Sequence, residues 1–253
     1  MSTPRRLTSP LGIYHVIVRG VNKQCIFEDA EDYHRYLKTL RKYQKICGYK
    51  LYAYCLMSNH VHLLIMPGDI ELGKIFQHVS PSYAFWFNIK YQHTGHLFQA
   101  RFLSKPIKNN DHFLTVLRYI HLNPVKAAIC SDPWHYEYSS FRNYFDNDLI
   151  DPGVVLAQMD RTMFLEFHRK KNNDICMDID DVRPRCLSDA LAIRIMQDIS
   201  RCDSASELQA LDKAQRNAIL CEMCRAGISV NQASRITGIS YGIVQRALMR
   251  SNL

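Results

Sequence analysis

Apolar positions in the first half of the chain switch repeatedly between a period of two and a helical period. Ile13-Tyr14-His15-Val16-Ile17-Val18-Arg19-Gly20 is rich in β-branched and aromatic residues and ends at glycine, which predicts a first strand. From Glu31 to Cys47 the spacing becomes helical, with Tyr36, Leu37, Leu40, Tyr43 and Ile46 on one stripe and Gly48 at the stop. Two more strands are expected over Tyr49 to Met57 and Val61 to Met66, joined at Ser58-Asn59 and closed by Pro67-Gly68. A second helix is expected from Leu72 to Tyr91, carrying Ile75, Val79, Tyr83, Trp86 and Phe87, with Pro81 as a kink point. Gly95 to Leu103 predicts the return to the sheet. The order is βαββαβ, in which two helices cover one face of a four-stranded antiparallel sheet and leave the other open for a ligand.

Asn109-Asn110-Asp111 offers a cap for a third helix, and Phe113, Val116, Leu117 and Ile120 give it an apolar face. Its expected span is Asp111 to about Leu122. Asn123 should end it, because the residue before Pro124 is disfavoured in the α region. Trp134 to Tyr144 is a closing segment that packs on the core. Beyond Asp146, Asp and Asn cluster, as in Asn172-Asn173-Asp174 and Asp178-Ile179-Asp180-Asp181. The expected division is therefore a first domain over 1–147, a linker with a helical segment over 148–186, and a helical domain over 187–253. The fold class is α+β, a ferredoxin-like βαββαβ domain followed by an all-α domain.

Charge narrows the partner. A formal net charge of +8 and a pI of about 9.0 favour a polyanion, with nucleic acid first. No apolar run is long enough to span a bilayer, and Met1 to Arg6 does not lead into a signal-peptide core, so a cytoplasmic, nucleoid-associated protein is expected and no membrane partner. Nine cysteines without a spacing framework suit buried thiols in a reducing compartment. Cys221 and Cys224 form a C-x-x-C inside a helical pattern with no second pair, and zinc is not expected there.

Candidate chemistry sits in the third strand. His60 and His62 are two apart and share a strand face, while Val61 and Leu63 point to the core. An isolated H-x-H in a strand is more often structural than metal-binding. Tyr119 and Asn123, four apart on the third helix, are neighbours on its surface. Laid over the open sheet face, they bring a phenol and an amide oxygen beside two imidazoles, a set that could hold a divalent cation and let tyrosine attack a phosphodiester. A phenol with a pKa near 10 needs activation for this. Arg19, Arg101 and Lys105 are assigned to DNA contact. His121 lies off the Tyr119 face and reads as packing or a phosphate contact; His15 and His96 are unassigned. There is no G-x-x-x-x-G-K-[ST] stretch, so no nucleotide hydrolysis is expected.

His60-Val61-His62, then Gln99-Ala100-Arg101-Phe102, then Tyr119-Ile120-His121-Leu122-Asn123-Pro124-Val125-Lys126, then Tyr138-Ser139-Ser140-Phe141, in this order, resembles the HUH single-tyrosine transposases. Among them it is most similar to the REP-associated tyrosine transposases. The resemblance spans roughly residues 10–145. It implies an HUH nuclease fold that cleaves and rejoins single-stranded DNA at hairpin-forming repeats through a 5′-phosphotyrosine. It also implies Tyr119 as nucleophile, His60, His62 and Asn123 as ligands of a divalent metal, Mg2+ or Mn2+, and a homodimer as one arrangement. Where insertion-sequence relatives often carry glutamine, this chain has Asn123 followed by proline.

Near the C-terminus, Gly227 to Leu248 has helix-turn-helix spacing, with Ser234 four before Gly238 and with Ile239 and Val244 as anchors of the second helix. Arg235, Ser240, Tyr241, Gln245 and Arg246 are its candidate DNA contacts. This part resembles the helix-turn-helix extension of some bacterial members of the same group. Two rivals stand beside the transesterase: a regulator that keeps the fold and binds DNA without cutting, and an RNA-binding ferredoxin-like sheet, which would need exposed aromatics where His60 and His62 stand.

Overall fold

A computed structural model describes residues 8–99, 101–170, 187 and 189–251. Its sheet runs in the order β2-β3-β1-β4, with β1 at Tyr14–Arg19, β2 at Lys50–Met57, β3 at His60–Met66 and β4 at Leu103–Pro106. Every pairing is antiparallel, and with α1 (Ala30–Cys47) after β1 and α2 (Leu72–Tyr91) after β3 this is the expected ferredoxin-like arrangement. Helix α1 starts in a capping box, in which the Asp29 side chain accepts from the Asp32 backbone and Asp32 accepts from that of Asp29. It stops at Gly48, whose φ of 68° is the left-handed conformation that glycine adopts without penalty. Helix α2 runs unbroken past Pro81, an exposed position where water can satisfy the carbonyl that proline leaves unpaired.

Two expected boundaries move. The return strand is not continuous from Gly95: Phe98 makes an isolated bridge to Gly20, and the ladder resumes only at Leu103. Between them the aromatic side chains turn away from the pleat, Phe98 to Tyr83 and Phe102 to Phe76 at a ring separation of 4.4 Å. Helix α3 spans Asn110–Lys126, so Asn123 and Pro124 lie within it rather than past its end. Both are buried, and the Asn123 amide donates to the Tyr119 carbonyl at 3.0 Å. This packing outweighs the local preference against a helical residue before proline.

The segment after α3 packs on the core through Tyr136, Phe141 and Tyr144, as expected, and it also covers the sheet edge. Ser139 bridges to Cys55, and the backbone bonds Leu56 N to Tyr138 O and Ser140 N to Tyr54 O extend β2 outward. The boundary expected near 147 falls inside continuous packing: Leu149, Ile150, Val155 and Phe164 belong to the same core as the sheet. They are carried by a loop, by α4 (Gly153–Leu156) and by α5 (Arg161–Arg169). The polar stretches around Asn172 and Asp178 lie outside the described residues, as do Met1 to Arg6 and Ala100.

A second apolar cluster is built by α6 (Asp189–Ser200), α7 (Ala205–Ala210), α8 (Lys213–Arg225), α9 (Val230–Thr237) and α10 (Tyr241–Ser251). Between α9 and α10, Gly238 adopts φ 67° and Ser234 Oγ donates to the Ile239 carbonyl at 2.6 Å, which fixes the tight turn. Val244 and Ile239 are buried in this cluster. The two units meet where Ser229 Oγ donates to the Glu28 carboxylate at 2.9 Å and Tyr241 packs edge-on against His93.

Candidate active site

Register decides which side chains share the site. Ile17 pairs with His62 and Arg19 with His60, and directly paired residues project to the same side of an antiparallel sheet. His15, two before Ile17, therefore joins His60, His62 and Arg19 on one face, and Lys105 of the edge strand β4, paired with His15, adds a cation. The three histidines are buried. His60 and His62 stand nearly perpendicular with ring centres 4.8 Å apart, and His15 stacks on His62 at 5.2 Å.

Their hydrogen bonds orient the imidazoles. The Asn59 amide donates through Nδ2 to the Lys23 carbonyl and so turns Oδ1 to His60, whose Nδ1–H donates to it at 2.6 Å. His62 Nδ1 lies 3.0 Å from His15 Nε2. With both Nδ1 atoms engaged, a cation would meet His60 and His62 through Nε2, in the tautomer whose proton is on Nδ1. Burial, with His60 and His15 adding to it, holds His62 well below the usual histidine range; burial first, then Lys105 and His112, holds His15 at about 3. Both rings are neutral at physiological pH, the form a metal ligand needs.

Helix α3 lies across this face. Its Tyr119 ring is 5.7 Å from that of His62 and 5.9 Å from that of His15, and the Lys126 ammonium sits 4.5 Å from the Tyr119 ring centre. Asn123 is one turn beyond Tyr119 and buried, with its amide nitrogen turned back to the helix. Among the described residues no group of three or more His, Cys, Asp or Glu is arranged to hold a metal ion. The donors on this face are the imidazoles of His60 and His62 and the Asn123 amide, a nitrogen and oxygen set that fits a divalent cation if water and a substrate oxygen complete it.

Arg19 completes the site. Its Nε and Nη2 are enclosed and have no hydrogen-bond partner among the described residues. Two guanidinium nitrogens left unsatisfied in this way cost the protein desolvation energy, and the fork they form is shaped to grip an oxyanion through paired N–H groups. Arg101 is exposed just before β4. His121 is not a phosphate contact: it is fully buried, with Nδ1 2.9 Å from His168 and Nε2 2.8 Å from Ser140. His96 is exposed.

The helix-turn-helix candidates separate into two groups. Ser240 and Arg246 are exposed and Gln245 is half-buried; Arg246 shares a small cavity with Lys213 and Arg216 of α8, which concentrates positive charge beside α10. Arg235, also exposed, and the half-buried Tyr241 lie next to the first unit, the former 5.9 Å from the Tyr91 ring and the latter against His93. Sequence reasoning missed His15, Asn59 and Lys126. The period of two already puts His15 on the face of Arg19, but only the sheet order shows that this face meets His62.

Residues 9–123 match the family model described as "Transposase IS200 like". No curated protein matches the chain. A solved structure, "Structure of the REP associates tyrosine transposase bound to a REP hairpin", aligns with a TM-score of 0.50 and 18% identity, over 60% of this chain and 89% of that one. In sequence over residues 9–123, and in fold, the chain is similar to the IS200-like transposases and to a REP-associated tyrosine transposase.

Proposed function

We propose that the protein is a DNA strand transferase that cleaves and rejoins single-stranded DNA at hairpin-forming repeats. The observation that carries this reading is the packing of Tyr119 against His62 on the sheet face that His60 and Arg19 share. Tyr119 Oη attacks the phosphorus, the Oη–P bond forms and the P–O3′ bond breaks. The phenolic proton passes to solvent, and the leaving 3′ oxygen takes one up. The product is a 5′-phosphotyrosine whose ester energy is kept, so the 3′-hydroxyl can attack in reverse without nucleotide hydrolysis. Arg19 grips the non-bridging oxygens, and Lys126 brings positive charge beside the phenol, where anionic character develops. Nε2 of His60 and of His62, with Asn123, would hold a divalent cation, Mg2+ or Mn2+, which when bound supplies Lewis-acid polarisation of the phosphate.

The similar solved protein is bound to a REP hairpin, and the basic cluster of Lys213, Arg216 and Arg246 supplies a second DNA surface here. Incubation with a single-stranded hairpin oligonucleotide and Mn2+ should give a covalent adduct that maps to Tyr119 and is absent in Tyr119→Phe. If no adduct forms while hairpins still bind tightly, the protein is instead a non-cleaving DNA-binding regulator.

A further inference from the structure

A groove of about 940 Å³ opens one turn beyond the nucleophile. Leu122, Val125 and Lys126 form one wall, and Leu122 and Lys126 follow Tyr119 by three and seven positions, so this wall continues the Tyr119 side of α3. The opposite side is α5 with Arg169 and Lys170, and the floor is a 3-10 turn at Pro133–His135. Lys126, His135, Arg169 and Lys170 are exposed there. The lining carboxylate, Asp132, is committed to its own backbone, accepting from Trp134 N at 2.8 Å.

Trp134 is 48% exposed at this floor. Pro133 fixes the backbone before it, the Asp132 cap holds its amide, and the Phe141 ring meets it edge-on at 6.4 Å. An indole held this firmly and left half in solvent among cations has the make-up of a base-stacking platform. The volume lies at the upper end of small-ligand pockets, about 300–1,000 Å³, which admits a few nucleotides in single file and no duplex. Trp134, Arg169 and Lys170 all lie beyond the stretch 9–123 that matches the transposase family, so the floor and the α5 side of the groove are not part of that match.

We infer that this groove binds the unpaired DNA strand adjoining the cleaved phosphate, with one base stacked on Trp134 and the phosphates tracking Lys126, Arg169 and Lys170. The inference rests on the proposed strand transfer for what the strand is doing there, but binding is measured without cleavage. Fluorescence anisotropy in the full-length Tyr119→Phe protein compares a blunt hairpin with one carrying a single-stranded extension. Trp134→Ala should weaken the extended oligonucleotide about tenfold and leave the blunt one unchanged, and Trp134→Phe should keep most of the affinity. A bromodeoxyuridine-substituted extension should photocrosslink to the peptide containing Trp134. Equal binding of the extended oligonucleotide by Trp134→Ala and its parent, or crosslinking confined to other peptides, overturns the groove. Adduct formation at Tyr119 in the unmodified protein would then still stand, and a missing adduct with Trp134-dependent binding would remove the cleavage reading alone.

Discussion

His15 Nε2 lies 3.0 Å from Nδ1 of His62, so the imidazole proposed as a metal ligand is held by another imidazole instead of a carboxylate or carbonyl. The pair joins β1 to β3 across the buried face and fixes which nitrogen of His62 points outward. Outer partners of this kind are worth about 10–100-fold in metal affinity. His15→Phe keeps the ring volume and removes the hydrogen bond. It should weaken Mn2+ binding by about that factor, as read by electron paramagnetic resonance titration of free Mn2+. Unchanged affinity would mean that His15 only fills space.

Arg19 presents the opposite balance, a group that weakens the fold and serves the substrate. Its enclosed Nε and Nη2 have no partner among the described residues, and an unsatisfied buried polar group costs about 1–3 kcal/mol. Arg19→Met should therefore raise the unfolding free energy by roughly 1 kcal/mol or leave it unchanged, while lowering oligonucleotide affinity. Chemical denaturation and anisotropy on the same preparations check both signs. A variant that is destabilised and binds DNA normally would show that the guanidinium has a structural partner in solution.

The elements that sequence made legible are those whose signal is local. Helix α2 begins and ends at the expected Leu72 and Tyr91, because its stripe of Ile75, Val79, Tyr83 and Phe87 is long and uninterrupted. The end of α3 was hidden because burial of Asn123 and Pro124 overrides a backbone preference that acts only between neighbours. The extent of the first core was hidden for a related reason. Leu149, Ile150, Val155 and Phe164 are scattered among polar residues, and only the tertiary contact of Phe164 with Tyr144 and Phe141 marks them as core. The facing of Tyr119 to His62 follows from strand and helix periods; the partnership of His62 with His15 follows from sheet order, which no local pattern encodes.

His168 makes the docking of α5 sensitive to acid. Its Nδ1–H donates to the Phe164 carbonyl at 2.8 Å and its Nε2 faces His121, so the ring is locked neutral between Phe141 and Phe164. Burial lowers its pKa from 6.5 to about 4. Between those values the unfolded chain takes up a proton that the folded chain refuses. The stability contribution is therefore intact above pH 6.5 and declines as pH falls toward 4, by up to about 3 kcal/mol. His168→Gln should lower stability at pH 7 and flatten its dependence between pH 6.5 and 4.5 in urea titrations followed by Tyr and Trp fluorescence. An equally steep profile in the variant would assign the acid sensitivity to other groups.

Glu28 makes the contact between the two units sensitive to base. It receives Ser229 Oγ at 2.9 Å, and that hydroxyl also caps α9 by accepting from Gln232 N at 3.0 Å. Burial raises the Glu28 pKa to about 7, against the lowering effects of Ser229, Arg235 and Asn231 and with a further rise from Asp32. Tyr241 also borders the pocket between the units. If the units separate, the carboxyl returns to water and its ordinary pKa near 4.5. The docked form then binds the extra proton between those values, so docking is fully supported below about pH 4.5 and loses this support as pH rises through 7. Small-angle scattering should give a larger radius of gyration at pH 8.5 than at pH 5.5, and Glu28→Gln, which stays neutral, should keep the compact value at both. Because Tyr241 is half-buried against His93 in the docked form, the same rise in pH should open it to tyrosine-directed labelling. A radius that is constant in the parent, or that still changes in Glu28→Gln, would separate the Glu28 charge from the domain contact.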